Sequence, residues 1–150
     1  MFQQDSREIQ PGDLFFALQG EKVDGHIYLQ EVAAKGACAA VVSKNYSGDH
    51  FGMVLFAVDD VLGSMQMMAK TIFSQNKARV VAVTGSVGKT TTKEFIATLL
   101  QSKFRVIKTP GNANSQVGLP LFILNNVIDE EFFVVEMGMT ASGEIAKLIE

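Results

Sequence analysis

The sequence predicts an α/β fold in which a small N-terminal α/β domain precedes the start of a second domain built on a parallel sheet. Short runs of β-branched and aromatic residues alternate with stretches where apolar residues recur at helical spacing, which is typical of parallel βα units. Polar residues at positions 74–77 interrupt this alternation and predict a boundary between domains at residues 1–77 and 78–150. Apolar residues make up 47% of the 150 positions, as in a globular protein rather than a disordered chain.

Three short strands and two helices are predicted in the first domain. The run LFFAL at residues 14–18 predicts a buried strand, and CAAVVS at 38–43 and MVLFAV at 53–58 predict two more. A short helix is expected over residues 27–35, ending at a glycine that suits a helix C-terminus. Apolar residues recur at helical spacing over residues 61–73 and predict a second helix whose methionine-rich stripe packs into the core.

The second domain begins with RVVAVT at residues 79–84, which predicts a fully buried parallel strand because the run is short, β-branched and not alternating. A glycine-containing loop follows, and then a helix over residues 89–101. The residues expected on the apolar face of this helix are Phe95, Ile96, Leu99 and Leu100. Two further strands are predicted at 104–108 and 132–136, with a helix between them that starts near Pro120.

Charge and composition exclude several classes of protein. Thirteen basic and sixteen acidic residues give a net charge of −3, so no overall field attracts nucleic acid or anionic lipid. The N-terminus has no leader-peptide pattern, and the longest apolar run is too short to span a membrane, so we expect a cytoplasmic protein. The lone cysteine, Cys38, is expected to be buried and inert. Nothing in the sequence indicates an oligomeric state.

The strongest chemical signal is TGSVGKTTTKE at residues 84–94, between a predicted strand and a predicted helix. Its glycines allow the backbone to curl so that N–H groups at the positive end of the helix converge on phosphate. The residues assigned to this cofactor site are Gly85, Ser86, Val87, Gly88, Lys89, Thr90 and Thr91, with Lys89 suited to phosphate and Thr90 to magnesium. Val83 stands where the usual motif has a glycine. The alternative is a simple strand-to-helix turn with a surface lysine.

Two other sites follow predicted strands. Glu136 closes the apolar run FFVVE at the carboxyl end of a parallel strand, where a carboxylate can hold magnesium, although a solvated strand end is the alternative. The polar segment TPGNANSQVGLP at residues 109–120 carries Asn112 and Asn114, whose amides can both donate and accept hydrogen bonds. The alternative for these amides is an Asx-turn that caps the next helix. We assign Asn112 to the nucleotide and Asn114 to the substrate.

These motifs together resemble the Mur ligases, which use ATP to extend the peptide of the bacterial cell-wall precursor. TGSVGKTT is similar to the ATP loop of that family, which also lacks the early glycine. DSREIQPGDLFFALQGEKVDGH at residues 5–26 resembles the uridine-nucleotide domain, and TPGNANSQVGLP and VVEMGMTASGEI resemble the dipeptide-adding members. The resemblance implies a UDP-substrate domain at 1–77 and an incomplete P-loop ATPase domain at 78–150.

The resemblance also implies roles for individual residues. Those expected to line the UDP site are Asp5, Ser6, Arg7, Gly25 and His26. Lys89 and Glu136 are the expected catalytic groups, with magnesium on Thr90 and Glu136. From the residues alone, Ser6 and Arg7 could equally stabilise a turn, and His26 would more often pack against a neighbour. Two departures are a first strand that is shorter than usual and Ser115 in place of a repeated asparagine, which removes a hydrogen bond to a ligand.

The activity implied by the resemblance is amide bond formation. ATP would activate the carboxylate of UDP-N-acetylmuramoyl-tripeptide as an acyl phosphate, which the amine of D-alanyl-D-alanine then attacks. The alternatives are the related ligase that adds the third amino acid and a nucleotide-binding module without catalysis. Family members continue with a histidine, a carbamylated lysine and a C-terminal domain, so residues 1–150 alone are expected to be inactive.

Overall fold

The computed structural model describes residues 1–20, 23–111, 113–126 and 128–138. The chain divides into two compact units, Met1–Met67 and Met68–Glu150. The division falls within a helix, Val61–Ser74, and the boundary predicted at residue 77 lies just after that helix. The exact limits of the two domains stay a prediction. Among the described residues, no helix has the length and apolar character that crossing a bilayer requires.

The first unit is built on a four-stranded parallel sheet whose strands lie in the order in which they occur in the chain. They are β1 (Phe2–Gln3), β2 (Leu14–Phe16), β3 (Ala39–Ser43) and β4 (Val54–Val58). The longest register pairs Ala39 with Val54 through Ser43 with Val58. All three strands predicted for this unit are confirmed, and their carboxyl ends share one edge of the sheet.

One helical segment supplies side chains to the core of this sheet, and a second helix follows the last strand. The helix expected over residues 27–35 begins as a 3₁₀ turn, Gly25–Tyr28, and continues as α1, Leu29–Ala34. The second helix, α2, spans Val61–Ser74. The fully buried side chains of the core come from both sheet and helix, and include Phe15, Leu29, Val32, Ala40 and Val42. The predicted core-facing stripe of α2 is confirmed for Val61 and Met65, whereas Ile72 is exposed.

Cys38 is exposed, so the prediction of a buried cysteine is wrong. The flanking residues Ala37 and Ala39 are both buried. Because neighbouring side chains of an extended segment point to opposite faces, burial of these two directs Cys38 outward. Its thiol donates to the carbonyl oxygen of Gly12 at 3.1 Å.

The second unit contains a three-stranded parallel sheet within the described residues. Its strands are β5 (Arg79–Val83), β6 (Val106–Lys108) and β7 (Phe132–Glu136), and its helices are α3 (Lys89–Gln101) and α4 (Gly118–Asn125). The strand order is β5-β7-β6, so the last strand in the chain lies between the two earlier ones. The α/β fold and the parallel arrangement predicted from the sequence are confirmed.

β5 is a parallel strand, as predicted, but it is not fully buried. Val83 is buried, whereas Val80 is 47% exposed. β5 lies at the edge of the described sheet, and the central strand β7 takes the buried position instead. Phe133, Val134 and Val135 of β7 are fully enclosed. An apolar run therefore predicts a strand, but it does not tell which neighbouring elements will cover that strand.

The apolar face predicted for α3 is wrong for Phe95 and Leu99, whereas Ile96 and Leu100 are partly buried as expected. Lys93 and Ala97 are its buried residues, whereas Phe95 is 67% exposed and Leu99 is 71% exposed. Residues on an α-helix are separated by about 100° each, so positions 95 and 99 point away from the stripe formed by positions 93 and 97. The packed face of the helix therefore carries Lys93 and Ala97, with the partly buried Ile96 and Leu100 beside them.

Candidate functional site

The predicted phosphate loop connects β5 to α3, and its backbone conformation depends on two glycines. Gly85 has φ of 150° and Gly88 has φ of 76°. Both are positive values that residues with a side chain rarely adopt. Gly88 immediately precedes α3, and its carbonyl oxygen accepts the N–H of Thr92 at 2.9 Å. The sequence therefore places glycine where the backbone turns from strand to helix.

Lys89 folds back over this loop. Its Nζ donates to the carbonyl oxygen of Gly85 at 2.9 Å, so its charge lies beside the loop backbone. Ser86, Val87 and Thr91 are exposed, with the side chain of Val87 directed almost wholly to solvent. An exposed loop at a helix N-terminus with a lysine beside it suits an anionic ligand.

Glu136 is the centre of the site, because two other predicted residues donate to its carboxylate. The Thr90 hydroxyl donates to Glu136 Oε2 at 2.7 Å, and Asn114 Nδ2 donates to Oε1 at 3.0 Å. Glu136 is buried, which contradicts the alternative of a solvated strand end. Side chains from α3, β7 and the segment before α4 thus meet at one point.

Strand register explains why these side chains meet. Glu136 pairs with Val83 at the carboxyl ends of β7 and β5, and the phosphate loop begins just after Val83. The N–H of Gly138 donates to the carbonyl oxygen of Asn114 at 2.8 Å. A Cβ at position 138 would come within 3.2 Å of that oxygen, so glycine permits the close approach.

The environment of Glu136 favours its charged form. Burial alone would raise the pKa of this carboxyl. Hydrogen bonds from Thr90 and Asn114, together with the positive charges of Lys93 and Lys89, outweigh that effect and lower the pKa below its ordinary value. Glu136 is therefore an ionised carboxylate at neutral pH.

The residues around Ser115 clarify the polar segment before α4. The Ser115 hydroxyl accepts the N–H of Gly118, the first residue of α4, at 3.0 Å. Asn114 instead uses its side-chain N–H on Glu136. The side-chain hydrogen bond to the start of α4, which was the alternative role for the asparagines, is thus made by Ser115 and not by Asn114. Asn112 lies outside the described residues.

Sequence reasoning missed two buried residues behind Glu136. Thr109 is fully buried, and its hydroxyl accepts the main-chain N–H of Glu136 at 3.1 Å. Lys93 is buried on α3, and its Nζ donates to the carbonyl oxygen of Thr109 at 2.6 Å. The available signal was spacing, because Lys93 follows Thr90 by three positions and therefore shares its helix face.

The donor set at this point fits magnesium. The Thr90 hydroxyl and the Glu136 carboxylate supply hard oxygen ligands, and Mg²⁺ is typically held by one or two carboxylates together with phosphates and water. The described part of the chain contains no cluster of three or more His, Cys, Asp or Glu side chains that could hold a metal. Two protein oxygens do not complete the shell of a magnesium ion, so phosphate and water would supply its remaining ligands.

In the first unit, Asp5 and Arg7 form a two-pronged ion pair. Arg7 Nε donates to Asp5 Oδ1 at 2.9 Å and Nη2 donates to Oδ2 at 2.5 Å. The hydrogen bonds from Arg7 lower the pKa of Asp5 to about 2. The Arg7 side chain is nevertheless 84% exposed. Ser6 is buried, and its carbonyl oxygen accepts from Lys35 Nζ at 2.7 Å.

Gly25 and His26 are held tightly in place. His26 Nε2 accepts the N–H of Ser43 at 2.9 Å, Nδ1 lies 2.5 Å from Asp24 Oδ1, and the ring stacks on Tyr46. Because Nε2 is an acceptor, the proton of the neutral ring lies on Nδ1 and points to Asp24. Both ring nitrogens are thus engaged within the protein. A Cβ at Gly25 would come within 2.7 Å of the carbonyl oxygen of Leu18.

The two predicted UDP-contact segments lie at the same edge of the first sheet. Asp5 to Arg7 follow β1, and Gly25 and His26 follow β2, its parallel neighbour. His26 is bonded to Ser43, the last residue of β3. The carboxyl edge of a parallel sheet is where ligands of α/β proteins bind. The arrangement agrees with a shared site, and the contact of each residue with a ligand stays a prediction.

Comparison with known proteins gives two matching family models. The Mur ligase family catalytic domain matches residues 2–104, and the Mur ligase middle domain matches residues 83–150. The chain is 39% identical over 141 residues to UDP-N-acetylmuramoyl-tripeptide–D-alanyl-D-alanine ligase of Bacillus subtilis, covering 94% of this chain and 31% of that protein. The Escherichia coli protein of the same name is 37% identical over 142 residues, covering 95% and 31%.

Solved structures agree with these relatives. The crystal structure of MurF ligase from Thermotoga maritima in complex with ADP is 40% identical, with a TM-score of 0.85, and the match covers 98% of this chain and 34% of that one. MurF from Acinetobacter baumannii is 32% identical with a TM-score of 0.88, covering 97% and 32%. The chain spans about a third of the length of these relatives. It belongs to the Mur ligase family.

Proposed function

We propose that this chain supplies the UDP-substrate and nucleotide sites of an ATP-dependent ligase that joins D-alanyl-D-alanine to UDP-N-acetylmuramoyl-tripeptide. The observation that carries the proposal is the convergence of Thr90 and Asn114 on the buried carboxylate of Glu136, beside the phosphate loop. The names of the relatives at 37% and 39% identity supply the reaction. We assign the UDP substrate to residues 1–77 and ATP to residues 78–150.

The chemistry requires a carboxylate to become an electrophile. Transfer of the γ-phosphoryl group from ATP to the tripeptide carboxylate gives an acyl phosphate and ADP. The dipeptide amine then attacks the carbonyl carbon, and inorganic phosphate leaves as the amide forms and the amine loses its proton. The first step brings two anions together, so the loop N–H groups and the Lys89 ammonium act by positioning and by neutralising charge.

Magnesium and the UDP group complete the proposed set of ligands. Thr90 and Glu136 would hold Mg²⁺, which when bound neutralises charge on the phosphates. In the first unit, Arg7 offers an exposed guanidinium whose direction is set by Asp5, which suits a diphosphate. Because both His26 nitrogens are engaged, His26 would serve the UDP site by shaping the loop of Gly25. Since ATP is the energy source, we place the reaction in the cytoplasm.

The alternative ligase, which adds the third amino acid, is less well supported. A solved UDP-N-acetylmuramoyl-L-alanyl-D-glutamate–2,6-diaminopimelate ligase is 22% identical with a TM-score of 0.60, a likeness that concerns the fold alone. Identities of 32% to 40% are found instead with proteins named MurF or the corresponding dipeptide ligase.

The test is the identity of the amine that allows phosphate release. The complete ligase containing this chain would be assayed with ATP and Mg²⁺, once with UDP-N-acetylmuramoyl-tripeptide and D-alanyl-D-alanine, and once with the UDP-linked dipeptide and a diamino acid. We expect phosphate release and an amide product in the first mixture alone. Turnover in the second mixture would favour the alternative ligase, and nucleotide binding without turnover in either would indicate a non-catalytic module.

A further inference from the structure

Lys93 is a lysine enclosed by the protein, on the face of α3 that also carries Thr90. Its side chain is 1% exposed, and its Nζ lies 3.3 Å from Glu94 Oε1. The same nitrogen donates to the main-chain carbonyl oxygen of Thr109 at 2.6 Å. Lysine is almost never fully buried unless it is paired. The burial of the Lys93 side chain at this position therefore requires an explanation.

The ion pair with Glu94 does not by itself account for the burial of Lys93. Lys108, on β6, also contacts the Glu94 carboxylate through Oε2. Glu94 is half exposed and would keep this second lysine if Lys93 were absent. What Lys93 alone provides, among the described residues, is the hydrogen bond to Thr109.

Thr109 connects that hydrogen bond to Glu136. The hydroxyl of Thr109 accepts the main-chain N–H of Glu136 at 3.1 Å, and its own N–H donates to the carbonyl oxygen of Val134 at 3.1 Å. Thr109 also starts the segment that carries Asn114. A single buried residue thus links α3 to the strand that holds Glu136 and to the segment that holds Asn114.

We propose that Lys93 is a positioning residue of the nucleotide site, which acts through Thr109 to hold the main chain of Glu136 and the segment of Asn114 against α3. Without this link, α3 loses its side-chain hydrogen bond to Thr109, and the contact between Thr90 and Glu136 loses that support. The inference rests on the proposed nucleotide-binding function, whose geometry it concerns. The positive charge of Lys93 also helps to keep Glu136 ionised.

The test is the affinity of the complete ligase for ADP and Mg²⁺, measured by titration calorimetry in the absence of turnover. Lys93→Met removes the donor and the charge but keeps a similar length, and it leaves no buried unpaired carboxylate because the half-exposed Glu94 keeps Lys108 as its partner. We expect binding to weaken roughly 10- to 100-fold, as for other residues that orient metal ligands. The KM for D-alanyl-D-alanine should stay unchanged.

A second variant tests the connection itself. Thr109→Val removes the hydroxyl that accepts from Glu136 while preserving the shape of the side chain. It should also weaken ADP binding. The double variant should lose less than the product of the two single losses, because both act through one link. A double variant whose loss of ADP affinity equals the full product of the two single losses would overturn the proposal.

Lys108→Met is the matched control, since it removes the other lysine on Glu94 and leaves the Thr109 bond in place. Its ADP affinity should equal that of the unmodified protein. Lys93→Gln, which keeps a donor, should recover part of the affinity. A Lys93→Met protein that binds ADP normally would overturn the proposal, whatever its melting temperature. If that variant does not fold, normal ADP binding by the Thr109→Val protein would overturn the proposal instead. Failure of the ligase proposal would instead appear as absent amide formation by the unmodified protein.

Discussion

At the residue scale, Glu136 shows how a buried carboxylate stays ionised. Its two carboxylate oxygens accept from Thr90 and Asn114, and its main-chain N–H donates to Thr109. A buried charge is costly unless it is paired and hydrogen-bonded. Here both oxygens have donors. The carboxylate is thus held in the charged state that a cation requires.

Lys89→Ala should remove turnover and leave the fold intact. Lys89 is the first residue of α3, where alanine is well tolerated, and its hydrogen bond is to the carbonyl oxygen of Gly85. We expect phosphate release by the complete ligase to fall roughly 100-fold or more, since a charge directed at the phosphates is lost. Lys103→Ala, which removes an exposed lysine beyond α3, is the control. Near-normal rates for Lys89→Ala would rule out the phosphate-loop assignment.

Arg7→Ala should act on the other substrate. It removes the exposed guanidinium paired with Asp5, and we expect affinity for the UDP-linked tripeptide to fall roughly 10-fold or more, the value of a charge-assisted hydrogen bond. Affinity for ATP should not change. Arg105→Ala, which breaks an exposed ion pair with Asp129 in the second unit, is the control. Titration calorimetry that gives equal losses for both substrates would show that Arg7 is structural.

At the scale of the elements, local patterns predicted the strands and helices, but burial depended on their neighbours. The strand–loop–helix from β5 to α3 was predictable because glycine, lysine and threonine at fixed spacing specify that turn. The exposure of Phe95 and the burial of Lys93 were not predictable, since hydrophobicity alone predicts a buried phenylalanine and an exposed lysine. The link from Lys93 through Thr109 to Glu136 joins residues distant in sequence, so no local pattern encodes it.

Gly25→Ala should destabilise the loop that holds His26. The added Cβ would lie 2.7 Å from the Leu18 carbonyl oxygen and 2.9 Å from its nitrogen, both main-chain atoms with little freedom to move. We expect the free energy of unfolding in urea to fall by about 1–3 kcal/mol, the usual cost of overpacking. Gly111→Ala, where a Cβ would meet nothing within 4 Å, should show no such loss. Equal stability of the two variants would contradict the packing role of Gly25.

At the scale of the whole molecule, ionised carboxylates stabilise both units. The pKa of each is lowered in the folded state by hydrogen bonds or nearby positive charge. They are Asp5, Asp13, Asp24, Glu31, Glu94 and Glu136. A lowered pKa contributes stability above the pKa of the unfolded chain, and that stability is lost as the pH falls through the folded value.

Acid should therefore destabilise the protein over the pH range in which the unfolded chain's carboxylates take up protons while those of the folded protein stay ionised. For Asp5 the loss occurs between pH 3.8 and about 2, and for Glu136 it begins below 4.5. The urea midpoint should fall as the pH is lowered from about 5 to about 3. Asp5→Asn should flatten the lowest part of this dependence. A midpoint that stays constant or rises toward acid would contradict the sign argued here.

Residues 1–150 by themselves should release no phosphate above background with ATP, Mg²⁺ and both peptide substrates. The chain spans about a third of the length of its relatives, and loss of alignment between reactants can forfeit roughly 7–11 kcal/mol of barrier reduction. The complete ligase under identical conditions is the positive control. Amide product from residues 1–150 alone would show that the reaction requires fewer groups than the relatives contain.

The strand order β5-β7-β6 has a consequence for synthesis of the chain. β7 inserts between two strands that leave the ribosome before it, so these cannot join the described sheet until it arrives. Thr90 precedes Glu136 by 46 positions, which at about 5–20 residues per second corresponds to roughly 2–9 s of translation. During that interval the phosphate loop exists without its carboxylate. If the proposed function holds, the nucleotide site is completed late, since Glu136 joins Thr90 only after β7 has been inserted.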